Sequence, residues 1–410
     1  MSLDVAIRED AQALAPELVE LRRTLHRHPE VGLQLPVTQE TVLRALDGLG
    51  LEISVGSSTT SVTAVLRGRP GGPSVLLRAD MDGLPMAEGT NLEYASSVDG
   101  AMHACGHDLH TAMLVGAARL LAAHRDSLEG DVVLMFQPGE EGWDGAGHML
   151  REGVLDASGQ RVASAYGMHV LASVPSRLFT TRPGTLMAAN AQLEVTVRGA
   201  GGHGSAPHNA KDPIAVAAQL VGDLQTLVTR RFNVFDPVVI TVGSFHAGTS
   251  RVIIPDSATF DATIRTFSAE TQDRVAVEAV QLCRSIGAAY GVEVDVLFRP
   301  EYPATVNHPD HADFVASVVR SAFGDDRYEL MRAPMAGAED FSRVIAEVPG
   351  CYLMLGASVA PPGTPVADNH SPRVEFDEAV LPDGALLHAQ LAVQALRRDA
   401  APVPAGTSAA

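Results

Sequence analysis

Hydrophobic positions in the first half of the chain alternate between helical and strand-like spacing. Leucines recur every three or four residues over positions 11–28, and a similar spacing covers about 37–49, so both stretches predict helices. Residues 110–124 are apolar on one whole face and predict a third helix. Short apolar runs predict buried strands: SVTAVLRG, SVLLRAD, DVVLMFQP, ASAYGMHV and, further along, CYLMLG. This alternation predicts an α/β domain with a central sheet.

Residues 183–298 show a different order of elements. Strand-like AQLEVTVRG is followed by a helical stretch over 211–231, two strands, a helical stretch over 268–290 and the strand VEVDVLF. The order strand–helix–strand–strand–helix–strand is typical of a ferredoxin-like (split βαβ) domain. We therefore expect an inserted domain at 183–298 and a discontinuous main domain made of residues 1–182 and 299–400. The small, Pro-containing segment 401–410 is predicted to be a disordered tail.

Composition narrows the class of protein. With 410 residues and 46% hydrophobic residues, the chain is long enough for two globular domains. Its net charge of −19 argues against nucleic-acid binding. Three cysteines do not form a disulfide framework, and the N-terminus lacks the pattern of a signal peptide. Since no apolar run approaches the ~18 residues of a membrane span, we expect a cytoplasmic protein that does not bind membranes.

Candidate metal ligands begin at a glycine-containing turn, HACGHD, just before the helix over 110–124. Cys105 and His107 lie two residues apart in it, and a thiolate near a helix N-terminus is favoured by the helix dipole. A lone cysteine is more often a small buried hydrophobe, but the surrounding His103, Asp108 and His110 favour a metal site. A nucleophilic Cys–His pair is the other functional interpretation.

Two adjacent carboxylates, Glu140 and Glu141, follow the strand DVVLMFQP between glycines. One can bind a metal ion while the other moves a proton, which is what hydrolysis requires. Most such pairs are solvated turns, and His169 and His370, taken singly, are more often structural or surface histidines. Taken together with Cys105, these residues suit zinc, manganese or a related divalent ion.

Three more side chains have a candidate role near a substrate. His203, in the loop GGHGS, could stabilise an oxyanion. Arg265 ends a predicted strand and could bind a substrate carboxylate through two hydrogen bonds. Asn369, next to His370, is a further candidate for substrate binding. The alternatives are an ordinary hairpin loop for His203 and a surface salt bridge for Arg265.

Motifs over nearly the whole chain resemble the metallo-aminoacylase/carboxypeptidase family, in the amidohydrolase branch with hippurate hydrolases, N-acyl-amino-acid hydrolases and auxin-conjugate hydrolases. The motifs are LRRTLHRHPEVG, RADMDGLPM, MHACGHDLHTAML, FQPGEEG, YGMHV, GGHGSAPH, DPI, AGAEDFS and NHSP. The resemblance implies a zinc-peptidase-like catalytic domain with two divalent ions and an inserted lid domain that usually dimerises. Zinc or manganese is expected, with cobalt or nickel as alternatives.

The resemblance also implies a role for each residue. Cys105 would bridge the two ions, and Glu140 would be the general base. Carboxylates at the end of the strand SVLLRAD and just after it, Asp80 and Asp82, would orient the ligands. His203 would reach the site of the neighbouring subunit of a homodimer. The remaining ligands would be His107, Glu141, His169 and His370.

The chain departs from the family at a few positions. Arg251 stands where relatives usually have an asparagine near the substrate carboxylate, so it would contact the substrate and alter specificity, or point away from it. Asp261 and Ala262 stand where relatives usually have glycines.

These features predict an enzyme that cleaves the amide bond of small N-acyl or N-aroyl amino acids. A metal-activated water would attack the carbonyl, with Glu140 as base and His203 stabilising the oxyanion. A dipeptidase or carboxypeptidase could use the same site. A catalytically silent, metal-stabilised binding dimer and a metal-free hydrolase using Cys105 are weaker alternatives.

Overall fold

The computed structural model describes residues 3–361 and 363–400, so the predicted tail 401–410 lies outside the described residues. The chain divides into two compact units. The first lies within Met1–Leu186, Val306–Ala333 and Arg343–Ala410, and the second within Met187–Thr305 and Pro334–Ser342. Sequence patterning placed the inserted domain at 183–298 and assigned nothing from 334–342 to it. The function of the second unit as a lid or dimerisation domain stays a prediction.

Helices and strands alternate along much of the described chain. The helices are α1 Leu3–Ala13, α2 Ala15–Arg27, α3 Pro36–Leu46, α4 His107–Ala123, α5 Gly145–Arg151, α6 Pro213–Arg231, α7 Ala269–Ala289, α8 Pro309–Phe323, α9 Ser342–Glu347 and α10 Leu381–Ala400. The strands are β1 Glu52–Val55, β2 Val62–Leu66, β3 Ser74–Asp80, β4 Asp131–Gln137, β5 Ser164–Leu171, β6 Phe179–Thr181, β7 Gly184–Met187, β8 Ala189–Arg198, β9 Gly202–His203, β10 Val239–Ala247, β11 Ile253–Ile254, β12 Ser257–Thr266, β13 Glu293–Pro300, β14 Thr305–Asn307, β15 Tyr328–Leu330 and β16 Gly350–Gly356.

An eight-stranded sheet forms the centre of the first unit, in the order β1-β2-β4-β3-β5-β16-β6-β15. Its four central strands, β4, β3, β5 and β16, run parallel. Every residue of β3 is buried, as expected for a parallel strand covered on both faces. Because the carboxyl ends of parallel strands meet at one edge of a sheet, residues that follow β3 and β4 are brought next to β5.

Helix α4 packs against α10, α2 and β3, and nearly all of its residues are buried. It begins at His107, three residues earlier than the predicted helix over 110–124, so His107 belongs to the helix and not to the turn before it. The prediction of a single helix over 11–28 is wrong, because this range spans the end of α1 and all of α2, which are separated at Leu14. Pro16 at the start of α2 explains the break, since proline has no amide hydrogen to continue α1.

The second unit has a four-stranded antiparallel sheet in the order β10-β12-β8-β13. Strand β8 alternates buried and partly exposed residues, so one face of the sheet packs on α6 and α7. A separate hydrophobic core lies between this face and the helices. The chain order β8–α6–β10–β12–α7–β13 confirms the predicted ferredoxin-like pattern.

Within the described residues, no helix is both long and apolar enough to cross a membrane.

Candidate metal and catalytic site

Carboxylates gather at the edge of the sheet where β3 and β4 end. Asp80 is the last residue of β3, and Asp82 follows two residues later. Glu140 and Glu141 come three and four residues after the end of β4. His169 lies near the end of β5, beside β3. The predicted positions at the strand ends therefore bring five candidate side chains to one place.

The turn before α4 carries Cys105 and depends on a glycine. Gly106 has a φ of +87°, in the left-handed region that favours glycine. A Cβ atom there would lie 2.3 Å from Cγ2 of Val170 on β5. Close approach of this turn to β5 places the Cys105 Sγ 3.3 Å from His169 Nε2.

Cys105 also lies close to the other predicted metal ligands. His370 Nε2 lies 3.2 Å from Cys105 Sγ and 3.0 Å from Glu141 Oε1. Ligand atoms lie within 4.8 Å of one another in each of three overlapping groups: Cys105 with His107 and His169, Cys105 with Glu141 and His370, and His107 with Glu140 and Glu141. The five predicted ligands and Glu140 thus form one cluster, buried or partly buried except at the exposed His370.

Asp82 fixes the backbone of the two glutamates. Its Oδ1 accepts a hydrogen bond from the Glu140 amide at 2.9 Å, and its Oδ2 accepts one from the Glu141 amide at 3.1 Å. Oδ1 also lies 3.5 Å from His107 Nδ1. One carboxylate therefore sets the orientation of both glutamates and contacts a candidate ligand.

Asp80 is held by a second set of buried contacts. Its Oδ2 accepts a hydrogen bond from Arg78 at 2.8 Å, and its Oδ1 accepts one from His110 Nδ1 at 2.5 Å. The other ring nitrogen of His110 accepts a hydrogen bond from the Val170 amide at 2.8 Å. With both nitrogens engaged, His110 cannot bind a metal ion, although it lies close to His107. Its contacts instead link Asp80 to the backbone of β5.

Asn369 holds the loop that carries His370. Its side-chain amide donates to the carbonyl oxygens of Cys105 and Val170 at 3.3 and 3.0 Å, and its Oδ1 accepts from the Ala172 amide at 3.0 Å. His370 itself has a φ of +66°. These hydrogen bonds go to backbone atoms, and the same amide lies 3.9 Å from Cys105 Sγ, so the contacts favour a positioning role for Asn369. Its predicted binding of substrate stays a prediction.

The electrostatics of the cluster favour a thiolate surrounded by positive charge. Burial alone would raise the pKa of Cys105, but His169 and hydrogen bonds from the other histidines hold it well below its usual value. Hydrogen bonds to Cys105 and Glu141 raise the pKa of His370 to about 10. Burial raises the pKa of Glu141, against the lowering effect of His370. A divalent cation would supply the positive charge that this arrangement attracts.

Two observations test whether a metal ion fits the cluster. Both ring nitrogens of His107 are buried, and within the described residues they lie 3.5 Å from oxygens of Asp80 and Asp82, too far for a good hydrogen bond. Buried polar atoms are otherwise almost always satisfied. The donor set of one thiolate, imidazoles and a carboxylate is also the set that zinc and related divalent ions prefer. The residues present therefore fit divalent metal ions.

His203 lies in the second unit, where β9 pairs with β11. Its side chain is exposed, and its Nδ1 accepts a hydrogen bond from the Ser205 amide at 3.1 Å. An amide can only donate, so the proton of the neutral ring sits on Nε2. That tautomer presents an N–H donor, which is what the predicted oxyanion role needs.

The two candidate arginines lie on other segments of the second unit. Arg265 is half-buried in β12, where burial lowers its pKa. Arg251 is exposed in the turn before β11. Among the described residues, neither guanidinium makes a hydrogen bond or salt bridge. Arg251 can therefore meet an anionic ligand, whereas Arg265 already interacts electrostatically with Glu301.

Sequence patterning assigned no role to Arg78 or to the second histidine of the motif CGHDLH, His110. For His110 the sequence did contain a signal, since His107 and His110 are three residues apart and share one face of α4. Arg78 was hidden in the apolar run of β3, where a charged residue is itself unusual.

Comparison with known proteins shows the family. Residues 76–394 match the model of peptidase family M20/M25/M40. The chain is 38% identical to thermostable carboxypeptidase 1 of Saccharolobus solfataricus, over 96% of this chain and 99% of the relative. It is 37% identical to IAA-amino acid hydrolase ILR1-like 2 of Arabidopsis thaliana, over 93% and 86%. It is 36% identical to N-acetylcysteine deacetylase of Bacillus subtilis, over 93% and 97%.

A solved structure agrees with these relatives. A dinuclear metal-binding peptidase of the M20 family from Bacillus subtilis matches with a TM-score of 0.81 and 33% identity, over 94% of this chain and 99% of that one. The chain belongs to peptidase family M20/M25/M40, and the resemblance seen in its motifs is confirmed. It is a metal-dependent hydrolase acting on linear amide bonds.

Proposed function

We propose that this enzyme hydrolyses the amide bond of N-acyl or N-aroyl amino acids, with Glu140 as general base. The observation that carries the proposal is the cluster in which Glu141 joins Cys105 and His370 while the adjacent Glu140 is directed at the same place. Two neighbouring carboxylates held by one aspartate provide a ligand and a base side by side.

In this proposal the metal centre is built from five residues of the first unit. Cys105, His107, Glu141, His169 and His370 would hold two divalent ions, zinc or manganese. When bound, the ions lower the pKa of a water molecule and polarise the scissile carbonyl. Asp80 and Asp82 orient the ligands through the contacts described above.

The protein's own side chains carry the proton and hold the substrate. Glu140 removes a proton from the attacking water and delivers it to the leaving amine. His203 donates from Nε2 to the carbonyl oxygen as negative charge develops on it. Arg265, which makes no salt bridge within the described residues, pairs with the substrate carboxylate, and Arg251 also contacts the substrate.

Names of relatives support the substrate class. Two of the relatives described are named for the hydrolysis of N-acyl amino acids, an acetyl and an indoleacetyl (IAA) conjugate. A third is named a carboxypeptidase, which favours cleavage of peptides with a free carboxylate as the second candidate function. The two candidates share the metal centre, Glu140 and the recognition of a carboxylate, and they differ only in the acyl half of the substrate.

One assay distinguishes the acyl-amino-acid hydrolase from the carboxypeptidase. Protein dialysed against chelator is assayed for release of free amino acid from N-acetyl, N-benzoyl and indoleacetyl amino acids and from dipeptides, with and without manganese, zinc or cobalt. We expect no activity without metal and preferential hydrolysis of the acyl amino acids with it. Preference for dipeptides would support the peptidase instead. Full activity in chelator would revive a thiol hydrolase based on Cys105.

A second matter is the assembly, which we propose to be a homodimer formed through the second unit. The support is the resemblance of the motifs to a family whose lid domain usually dimerises. Light scattering after size exclusion should give about twice the 43.1 kDa mass of one chain. A mass of one chain at micromolar concentration would exclude the dimer.

A further inference from the structure

A group of charged side chains is buried beside the metal cluster and takes no part in the proposed chemistry. It comprises Arg22 and His26 of α2, Asp108 of α4 and Glu88 of the segment between β3 and α4. Their side chains are 0%, 1%, 0% and 4% exposed. Two of them come from the motif LRRTLHRHPEVG, which the proposed function leaves unused.

Hydrogen bonds join these four residues into a chain. Arg22 Nε and His26 Nδ1 donate to the same atom, Asp108 Oδ2, at 2.8 and 2.7 Å. His26 Nε2 lies 3.3 Å from Glu88 Oε1. His26 therefore has a carboxylate at each ring nitrogen. Burial lowers its pKa, but Asp108 and Glu88 outweigh burial and raise it above the usual value.

One end of this chain reaches the turn with two metal ligands. Asp108 immediately follows His107 in the first turn of α4. Because the peptide backbone links them directly, fixing the Asp108 side chain fixes the start of the helix that carries His107. Cys105 lies just before it in the turn closed by Gly106.

The other end reaches the segment with His370. Glu88 accepts a hydrogen bond from the Ser96 amide at 2.7 Å, which holds the segment over 88–96 in a closed loop. The amide of the next residue, Gly89, donates to the Pro372 carbonyl at 2.6 Å. Pro372 lies two residues after His370, so the loop held by Glu88 supports the His370 segment.

Burying four charged groups is expensive, and apolar residues of similar size would often stabilise a fold as well or better. Such a network is explained when it fixes a geometry that apolar packing leaves loose. Here the network contacts the Cys105–His107 turn and the segment that carries His370, and both must hold metal ligands at a fixed spacing.

We propose that Arg22 and His26 are positioning residues of the metal centre, which hold the Cys105–His107 turn and the His370 segment in register through Asp108 and Glu88. The inference rests on the metal centre of the proposed function. Loss of an outer contact of this kind typically lowers metal affinity about 10- to 100-fold.

The test uses cobalt binding to the purified full chain after dialysis against chelator. Calorimetry gives the affinity and stoichiometry for Co²⁺, and the thiolate-to-cobalt absorption band reports ligation by Cys105. In His26→Phe and in the milder Glu88→Gln, we expect affinity to fall about 10- to 100-fold with a weaker band per bound ion. Arg22→Lys, which keeps the charge, should fall between Arg22→Met and the wild type.

Arg27→Ala is the matched control. Arg27 lies on the same helix next to His26 and pairs with Glu20 at 3.8 Å, and within the described residues its side chain makes no hydrogen bond or ion pair with Asp108 or Glu88. Its cobalt affinity should stay within about twofold of wild type, since exposed pairs contribute little.

Each outcome has a distinct meaning. If His26→Phe and Glu88→Gln lower only the melting temperature of the metal-free protein and bind cobalt as the wild type does, the network serves the fold alone and the inference is wrong. If His26→Phe does not fold, Glu88→Gln decides. If the wild type itself binds no cobalt, the metal centre and the proposed function fail together with this inference.

Discussion

In the first unit, the side chains predicted to bind metal are fixed by neighbours, and all of them except the exposed His370 are buried or partly buried. In the second unit, the predicted substrate-binding side chains make few polar contacts. Cys105 touches His169 and His370, and Asp82 holds two glutamates at once. By contrast, within the described part of the chain the His203 side chain is held by hydrogen bonds from Ser205, and Arg265 makes no salt bridge.

This difference separates two tasks of a hydrolase. A metal centre needs a fixed spacing of ligands before the ion arrives, and buried networks provide it. A group that recognises a substrate needs unused hydrogen-bonding capacity. The two units can therefore be tested independently, since changes in the first should alter metal binding and changes in the second should alter kinetics alone.

The largest effect is expected for Glu140→Gln. Removing a general base typically costs about 10²- to 10⁴-fold in turnover, and here the amide keeps the shape of the side chain. We expect turnover to fall by that factor while two ions stay bound, as measured by metal analysis after gel filtration. Glu93→Gln, a change at an exposed glutamate, is the control. Activity close to wild type in Glu140→Gln would assign the base elsewhere.

Cys105→Ala should break the metal centre itself. Its thiolate contacts two histidines, so its loss should lower metal affinity by at least about 100-fold, beyond the usual cost of an outer contact. Activity should vanish at low metal concentration and return in part at high concentration. Cys351→Ala, a buried cysteine on β16, tests for mere loss of packing. Unchanged metal affinity in Cys105→Ala would show that Cys105 is not a metal ligand.

His203→Ala tests the second unit. Losing one donor to an oxyanion costs about 10²- to 10³-fold in kcat, and we expect this with an unchanged metal content. His208→Ala provides a nearby exposed histidine as control. A fall in metal content in His203→Ala would show that the two tasks are not separable as described.

Arg265→Ala should raise KM with little change in kcat. A hydrogen bond to a charged group contributes about 1.5–3 kcal/mol, which corresponds to roughly a 10- to 100-fold rise in KM. Arg299→Ala, on β13 of the same sheet, breaks only a salt bridge with Glu194 and serves as control. A substrate analogue whose carboxylate is replaced by a carboxamide should show no such rise in KM. An equal rise in KM for this analogue would contradict pairing of the carboxylate with Arg265.

The smallest effect concerns acid stability of the metal-free protein. Burial alone would raise the pKa of Glu88, but hydrogen bonds from His26, Thr90 and Ser96 lower it to about 2. A depressed pKa means that the stabilisation is complete above the ordinary value near 4.5 and is lost as pH falls towards 2. Glu88→Gln should therefore show a shallower loss of urea resistance over that range.

Glu278→Gln supplies the comparison from the second unit. Arg274 and Arg231 lower the pKa of Glu278 against burial, but both arginines are exposed and solvent screens their effect. Its acid unfolding should match that of the wild type. Equal curves for Glu88→Gln and wild type would show that the Glu88 contacts do not stabilise the fold.

The sequence predicted the elements whose pattern is local. Buried strands β3, β4 and β5 read as short apolar runs, and the candidate ligands lie in short motifs at their ends. Helix α10 was not predicted, although its apolar residues recur at helical spacing. The assignment of 334–342 to the second unit has no local signal.

Contacts between distant residues were the least predictable part of the site. Arg22 and Asp108 are 86 positions apart, and Asn369 meets Cys105 across 264. No spacing rule connects such residues, and each had an ordinary local explanation as a helix surface or loop residue. Only the folded structure shows that the members of each pair are in contact.

Gly106 limits how this enzyme could be redesigned. Any other residue there would face both a left-handed backbone and the methyl group of Val170. A randomised library over the turn should thus return glycine at 106 almost without exception, while 105 and 107 remain open to exchange for other donors. A larger residue at 106 becomes admissible only with a smaller one at 170, so these two positions should be varied as a pair.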